Sequence, residues 1–265
     1  MLQALGNTLP QPSLLLVAAE YGHTSVIEEL WVGIFEGSYS LDDRCPLLLA
    51  AQNGHTMVVE FLLGKGVNVQ CVDADGNTVA HLAARMGDFN TLRALKTCSQ
   101  HAEVPWSELG EHSCTPLHLA AEAGQVEAIR LIVECADAED MDRVDDRGKT
   151  PVQLAARESH LETINVLIAQ GAFMPDPLED SEAPIWLAVE HGHLALQQVN
   201  IVQMLFENGA DLNAVNGHRE TPLHVAAKNH LWSLVNLLVD LGAEVDCQDR
   251  DSMSLLHLAA KSGSE

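Results

Sequence analysis

The stretch TPLHLAAEAGQVEAIRLIVE (residues 115–134) returns later in the chain as TPLHVAAKNHLWSLVNLLVD (residues 221–240). Weaker copies surround these two, and all of them align on a small-residue pair that follows the first four letters. Successive pairs are separated by 32, 33, 37, 35, 33, 38 and 33 residues. This period predicts a stack of repeated units, each of which buries its apolar faces against its neighbours. The pairs begin at Ala18, Ala50, Ala83, Ala120, Ala155, Ala188, Ala226 and Ala259.

Each copy predicts two short helices and a hairpin. Thr115 is a suitable helix cap, and Pro116 fits the first turn of a helix without losing a hydrogen bond. Gly124 is suited to the left-handed conformation that ends a helix. A turn such as DDRGKT (residues 145–150) follows the second helix. That second helix is indicated by apolar residues at helical spacing, which are Val126, Ile129, Ile132 and Val133.

These motifs resemble the ankyrin repeat. The tetrad Thr-Pro-Leu-His is complete at residues 115–118 and 221–224, and it persists as TPVQ at 150–153, SLLH at 254–257 and TVAH at 78–81. The resemblance covers nearly the whole chain. It implies an all-α ankyrin-repeat solenoid of stacked helix-turn-helix units with β-hairpin loops. The first helices and the hairpin tips would line a concave face.

The chain is expected to form a single array over residues 1–265. The eighth copy stops after its first helix without a polar cap, so we expect the chain to be a fragment of a longer protein. The seven complete repeats and the partial eighth are predicted at about 12–43, 44–75, 76–112, 113–147, 148–180, 181–218, 219–251 and 252–265.

Charge narrows the class of partner. The 265 residues include 38 acidic and 14 basic side chains, a formal net charge of -24. Such a chain repels phosphate backbones and anionic lipid, which disfavours nucleic acid and favours a basic protein or peptide. No apolar run approaches the ~20 residues that cross a bilayer. We expect a soluble, cytoplasmic protein without membrane insertion, with the nucleus also open, that is either a monomeric array or part of a larger chain.

We do not expect a catalytic site, a cofactor site or a metal site in this sequence. Of the thirteen histidines, seven recur at two positions of the repeat, and such recurrence indicates a structural role. Four lie in the tetrad (His81, His118, His224 and His257) and three follow a glycine (His23, His55 and His193). The six cysteines show no zinc-site spacing and are expected to be reduced, mostly structural thiols. The sequence has no phosphate-binding loop or nucleophile elbow. We therefore predict no enzyme activity, no cofactor and no metal site.

The resemblance implies where a partner binds, namely at hairpin tips before each tetrad and at the two residues after each alanine pair. The sequence thus predicts a protein–protein interaction scaffold that holds a macromolecule on its concave face. The alternative is a regulatory ankyrin segment of a larger channel, kinase or ligase that acts within its own chain. The candidate positions are Asp75, Asn77, Arg85, Met86, Glu111, His112, Glu122, Asp146, Arg147, Lys149, Arg157, Glu158, Glu190, His191, His218, Glu220, Lys228 and Asn229.

Three departures from the repeat leave alternatives open. Residues 98–113 and 195–200 lengthen two copies, and residues 173–184 replace a glycine hairpin with prolines and acids. Each is either tolerated loop growth or a loop that carries specificity. Trp106 in the first insertion is either a local packing residue or a contact residue. The resemblance also implies Asn68 and Asn213 as candidates for asparaginyl hydroxylation.

Overall fold

The computed structural model describes residues 11–34, 45–98, 104–172, 183–191 and 195–262. Two short 3-10 helices lie at Glu111–Ser113 and Ala138–Met141. The α-helices are α1 (Gln11–Glu20), α2 (Thr24–Ile34), α3 (Pro46–Gln52), α4 (Thr56–Gly64), α5 (Val79–Met86), α6 (Phe89–Cys98), α7 (Pro116–Glu122), α8 (Val126–Val133), α9 (Pro151–Arg157), α10 (Leu161–Ala169), α11 (Pro184–His191), α12 (Ala195–Glu207), α13 (Pro222–Lys228), α14 (Trp232–Asp240) and α15 (Leu255–Ser262).

The helices form stacked pairs, as the repeat predicts. The chain divides into two compact units, one of Met1–Ala120 with Glu127–Asp140 and one of Ala121–Val126 with Met141–Glu265. In the first unit, α1, α3 and α5 pack in sequence, as do α2, α4 and α6. In the second unit, α9, α11, α13 and α15 form one row, and α10, α12 and α14 form the other. The single array over residues 1–265 stays a prediction.

Alanine pairs allow the first helices to approach closely. Ala50, Ala83 and Ala155 are fully buried. The third tetrad position shows the same pattern, since Leu117 and Leu223 are each 1% exposed. Its equivalent in α15, Leu256, is 74% exposed because no second helix covers it among the described residues. Burial at each position thus comes from the neighbouring helix, as a near-neighbour stack requires.

The loops between helix pairs are tighter than the predicted β-hairpins. No β-strand occurs in residues 11–34, 45–98, 104–172, 183–191 or 195–262. Asp73 N donates to Asn77 O at 3.0 Å, and Asp145 N donates to Lys149 O at 2.9 Å. One backbone hydrogen bond of this kind closes each turn. The segments on either side are too short to add the further backbone hydrogen bonds that define a pair of β-strands.

The tetrad builds a capping box at the start of several first helices. Thr221 Oγ1 accepts from His224 N at 3.4 Å, and His224 Nδ1 accepts from Thr221 N at 3.2 Å. Thr150 and Gln153 form the same box, with Thr150 N donating to Gln153 Oε1 at 2.8 Å. Each box satisfies backbone donors that the first turn of a helix leaves unpaired. The predicted structural role of the tetrad histidines is confirmed.

His81 also joins neighbouring repeats. Its Nδ1 accepts from Thr78 N at 3.1 Å, and its Nε2 donates to Cys114 O at 3.0 Å. The bond from Thr78 N requires the neutral imidazole, because Nδ1 can accept it only when it carries no proton. Burial lowers the pKa of His81, and the hydrogen bonds to the carbonyls of Cys114 and Glu108 offset only part of this effect.

We expect His81→Gln to reduce the acid sensitivity of the first unit. Below about pH 6.5 the unfolded histidine binds a proton that the folded histidine resists, so stability falls with pH by at most about 1.4 kcal/mol per unit. Glutamine keeps the cap, as Gln153 demonstrates, and does not titrate. Urea unfolding from pH 8 to pH 5 would measure the difference from wild type. Parallel stability curves for the two proteins would contradict this expectation.

The cysteines differ in part from the sequence expectation. Cys45 and Cys71 form a disulfide with Cα atoms 6.5 Å apart, so the prediction of reduced thiols is wrong for this pair. The two residues lie 26 positions apart within the second repeat, Cys45 directly before α3 and Cys71 after α4. Cys98, Cys114, Cys135 and Cys247 remain thiols, as predicted.

Trp106 is a packing residue. It is 6% exposed, and Val104 beside it is also buried. Ser107 Oγ donates to Asp137 Oδ2 at 3.2 Å and also to Asp140 Oδ2, which ties the insertion to the segment after α8. Of the other departures from the repeat, residues 195–200 form the start of α12, whereas residues 99–103 and 173–182 lie outside the described residues.

Candidate partner-binding surface

Four of the described hairpin tips are each organised by one Asp or Asn side chain, whereas the tip at residues 110–114 has Gly110 at the equivalent position. Asp145 Oδ1 accepts from Arg147 N at 2.9 Å and from Lys149 N at 2.8 Å. Asp73, Asn216 and Asp249 make the same pair of bonds at their own tips. Sequence reasoning missed this role, although an Asp or Asn five residues before the tetrad recurs and could have revealed it. The tips are therefore preorganised for binding rather than loose.

The hydrogen bonds of a closed tip lower the pKa of the carboxylate that accepts them, as at Asp249. Burial raises its pKa, and the backbone N–H groups of Met253 and Asp251 outweigh that effect, together with the nearby charge of Lys228. The net result is a pKa below the ordinary value for aspartate. The carboxylate stays ionised and keeps the tip closed at neutral pH.

Most of the predicted partner-binding residues lie at the protein surface. The half-buried members are Glu111, Glu122, Lys149, Arg157, Glu158 and Glu220. The side chain of His191 is not among those that the structure describes. The exposed members are Asp75, Arg85, Met86, His112, Asp146, Arg147, Glu190, His218, Lys228 and Asn229.

Asn77 does not fit the predicted surface. It is 1% exposed, its Nδ2 donates to Asp73 Oδ2 at 3.3 Å, and its Oδ1 accepts from Glu111 N at 3.1 Å. The side chain bridges two successive tips, so it supports the surface and does not contact a partner. A position in the repeat cannot reveal this, because the bond partner lies 34 residues away.

Several cationic side chains on this surface are bound to carboxylates. In the first unit, Arg85 Nη2 lies 3.2 Å from Glu111 Oε2. In the second unit, Arg157 bonds Glu122 Oε1 at 2.6 Å and Glu158 Oε1 at 2.8 Å. Burial lowers the pKa of Arg157, but its bonds to Glu158 and Glu122 outweigh this effect and raise the pKa overall.

Lys228 forms a further ion pair within the second unit. It bonds Glu220 and lies 3.9 Å from Asp249. The bond to Glu220 raises the pKa of Lys228. Burial raises the pKa of Glu220, but the bonds from Lys228 and Asn216 outweigh it and lower the pKa overall. In these ion pairs, the positive charges of Arg85, Arg157 and Lys228 are partly neutralised by acidic side chains of the same chain.

The side chains of both candidate hydroxylation positions accept backbone hydrogen bonds, Asn68 within its own turn and Asn213 from the following repeat. Asn68 is exposed, and its Oδ1 accepts from Gln70 N at 3.0 Å. Asn213 is half-buried, and its Oδ1 accepts from Glu244 N at 2.9 Å. Their modification stays a prediction.

The described residues bring together no group of three or more His, Cys, Asp or Glu side chains that could hold a metal ion. In the same part of the chain, the helices are all too short or too polar to span a bilayer.

Comparison with known proteins identifies the repeats. A family profile described as "Ankyrin repeats (3 copies)" matches residues 14–105, 100–177, 137–216, 173–249 and 192–265. The ankyrin repeat domain of Bcl-3 superposes with a TM-score of 0.67 at 26% identity, over 81% of this chain and 93% of that one. Human ASB11 gives 0.68 at 25% identity, over 81% and 91%. Ankyrin repeats generally mediate protein–protein interactions and are typically not enzymes.

Relatives by sequence are longer proteins. A Caenorhabditis elegans homolog of transient receptor potential cation channel subfamily A member 1 is 28% identical over 73% of this chain. The mouse B-cell lymphoma 3 protein homolog is 29% identical over 66%, and the Arabidopsis thaliana E3 ubiquitin-protein ligase KEG is 27% identical over 75%. The chain spans 15%, 38% and 12% of these three relatives, respectively.

Proposed function

We propose that this chain, which belongs to the ankyrin-repeat family, is an interaction scaffold that binds a basic peptide or a basic face of another protein. The first helices and hairpin tips would supply the binding surface, as the family resemblance implies. The observation that carries the proposal is the state of its charges. Arg85, Arg157 and Lys228 are bound to carboxylates of the same chain, and the side chains of Asp146 and Glu190 are exposed at the same predicted surface positions.

Electrostatics supports this choice of partner. A net charge of -24 attracts cations and repels anionic partners over roughly a Debye length of 8 Å at physiological salt. Association with a basic segment is therefore faster at low salt, and charge reversal weakens it. The closed tips limit the entropy lost on binding.

The test is charge reversal in the second unit. The probe is a synthetic peptide of alternating lysine and serine, and its dissociation constant is measured by calorimetry at low and moderate salt. We expect Asp146→Lys, Glu158→Lys and Glu190→Lys together to raise the dissociation constant about tenfold or more, since a tenfold change corresponds to about 1.4 kcal/mol.

A second triple variant provides the matched control. Glu207, Asp240 and Asp246 are exposed acids at or after the ends of second helices, and their reversal to lysine changes the net charge equally. It should weaken binding much less. Equal losses from both triple variants would attribute binding to net charge alone and reject this surface, as would no loss from either.

A second candidate is a regulatory segment that acts within its own chain. It is favoured by the similarity to a channel and to a ubiquitin ligase, of which this chain spans 15% and 12%. In that case the occupant of the surface is a segment of the same polypeptide, and peptides tiled along the full-length product would bind in place of the lysine-serine probe.

A further inference from the structure

We infer that the first unit carries a second binding surface, an apolar edge that anchors an amphipathic, lysine- or arginine-bearing helix of a protein partner. The apolar edge consists of Tyr21, Met57, Met86 and Phe89. The inference rests on the proposed function in that it presupposes a protein partner, but it depends on apolar side chains of the first unit, of which only Met86 is a candidate position named above, and not on charge.

The four side chains are large, apolar and exposed. Tyr21 is 64% exposed, Met57 68%, Met86 48% and Phe89 40%. Single exposed apolar residues are ordinary, whereas a contiguous group of them marks an interaction site. Their value for binding therefore depends on whether they adjoin one another.

Contacts between the repeats place the four residues along one edge. His55, two residues before Met57, reaches Glu20 O beside Tyr21 with its Nε2 at 2.9 Å. Thr56 Oγ1 donates to Asp88 Oδ2 at 2.9 Å, which joins the residues next to Met57 and Phe89. These two bonds link the helix-helix turns of three successive repeats.

Gly54 closes the remaining gap. A β-carbon placed at Gly54 would lie 3.4 Å from the Met86 methyl carbon, so this methyl group lies over the turn that precedes Met57. All four residues are thus near the turns between first and second helices. They lie along one edge of the first three helix pairs.

The margin of the apolar edge is acidic and indicates the charge of its occupant. Glu20 precedes Tyr21, and Glu60 lies one helical turn after Met57 on α4, where both side chains share a face. Both are exposed. Arg85 beside Met86 is bound to Glu111, and Arg93 is the exposed cation four residues after Phe89. An apolar stripe flanked by lysines or arginines complements this arrangement.

The side chains also suit a helix as the occupant. Methionine is flexible and polarizable and adapts to several apolar shapes, and a tyrosine offers a large ring with a polar tip. An amphipathic helix presents apolar anchors at i, i+3, i+4 and i+7, a pattern that lies along an apolar edge. In contrast, two equivalents of Tyr21 and Met86 in the second unit, Glu158 and Asn229, are charged or polar.

The test uses a synthetic helical peptide of leucine and lysine, about 14 residues long, with leucines at helical spacing. Methyl NMR of methionine-labelled protein reports on Met57 and Met86 directly. We expect both methyl resonances to shift with this peptide. We do not expect a shift with an isomer of the same composition whose leucines follow no helical period.

Substitution provides the second readout. Met57→Gln with Met86→Gln keeps the side-chain length and removes the apolar character, and we expect about a tenfold rise in the dissociation constant. Val144→Thr with Val215→Thr changes two other exposed apolar residues, 51% and 50% exposed, and should leave it unchanged. Unmoved methyl resonances, equal binding of the two isomers, or equal effects of the two double variants would each overturn the inference.

The same experiment separates this inference from the proposed function. If the methionine resonances do not move while the lysine-serine peptide still binds and still depends on Asp146, Glu158 and Glu190, only the apolar edge is refuted. If the leucine-lysine peptide shifts Met57 and Met86 in the charge-reversed protein while the lysine-serine peptide binds neither protein, the apolar edge stands and the acidic surface is refuted.

Discussion

Replacing Trp106 with alanine is expected to destabilise the first unit by about 3–5 kcal/mol, the range for loss of a buried large aromatic side chain. Trp106 is 6% exposed and lines a cleft of about 550 Å³ with Val72, Val104 and Cys135. Its removal deletes the packing that holds the insertion against the neighbouring hairpin. The bonds from Ser107 to Asp137 and Asp140 would lose their positioning as well.

Hydrogen exchange measured by mass spectrometry is the direct readout, because a repeat array need not unfold in a single transition. Faster exchange is expected at residues 104–113 and 135–141. Trp106→Phe, which keeps part of the packing, should cost less. Trp232→Ala is the matched control, since Trp232 is only half-buried and lies in the second unit. An alanine variant as stable as wild type would show that Trp106 does not pack the insertion.

Gly124→Ala is expected to destabilise the second unit by about 2–5 kcal/mol through two separate effects. The residue has φ of +70°, which disfavours any side chain. An added β-carbon would also lie 2.7 Å from His160 Nδ1. His160 cannot move away without losing its contact with Glu122, whose carbonyl oxygen lies 3.1 Å from Nε2.

Substitution of Gly148 distinguishes the backbone strain at positive φ from the steric clash with His160. Its φ is +71°, and a β-carbon there would meet nothing within 4 Å. Gly148→Ala should therefore show the backbone strain alone, about 1–2 kcal/mol. Urea unfolding of both variants, alone and with His160→Ala, measures the remainder. In the His160→Ala background the cost of Gly124→Ala should fall to that of Gly148→Ala, and an unchanged cost would refute the proposed collision.

Much of the local architecture could be predicted from the sequence, because it depends on residues close together in the chain. Thr221 and His224 are three positions apart and form the capping box wherever the helix starts. Gly124 ends the first helix for an equally local reason, its tolerance of positive φ. The missed role of Asp145 is local too, and its recurrence before the tetrads was present in the sequence.

The candidate surface was less predictable. Its positions follow from the family resemblance, yet Asn77 is buried because its bond partner Glu111 belongs to the next hairpin tip. Arg157 pairs with Glu122, 35 residues before it, so the charge that it adds to the surface is partly neutralised. Neither fact follows from composition or from a position within one repeat.

The sequence by itself determined the repeat period, the helix pairs, the capping boxes and the acidic balance, since each depends on residue type and spacing over a few positions or on a simple sum. Only the tertiary structure decided which side chains meet across neighbouring repeats. The packing of Trp106 and the placement of Tyr21, Met57, Met86 and Phe89 along one edge belong to that class. The physical reason is that such contacts depend on the stacking of one unit on the next, which sets side-chain distances that a repeat spacing of 32 to 38 residues does not specify.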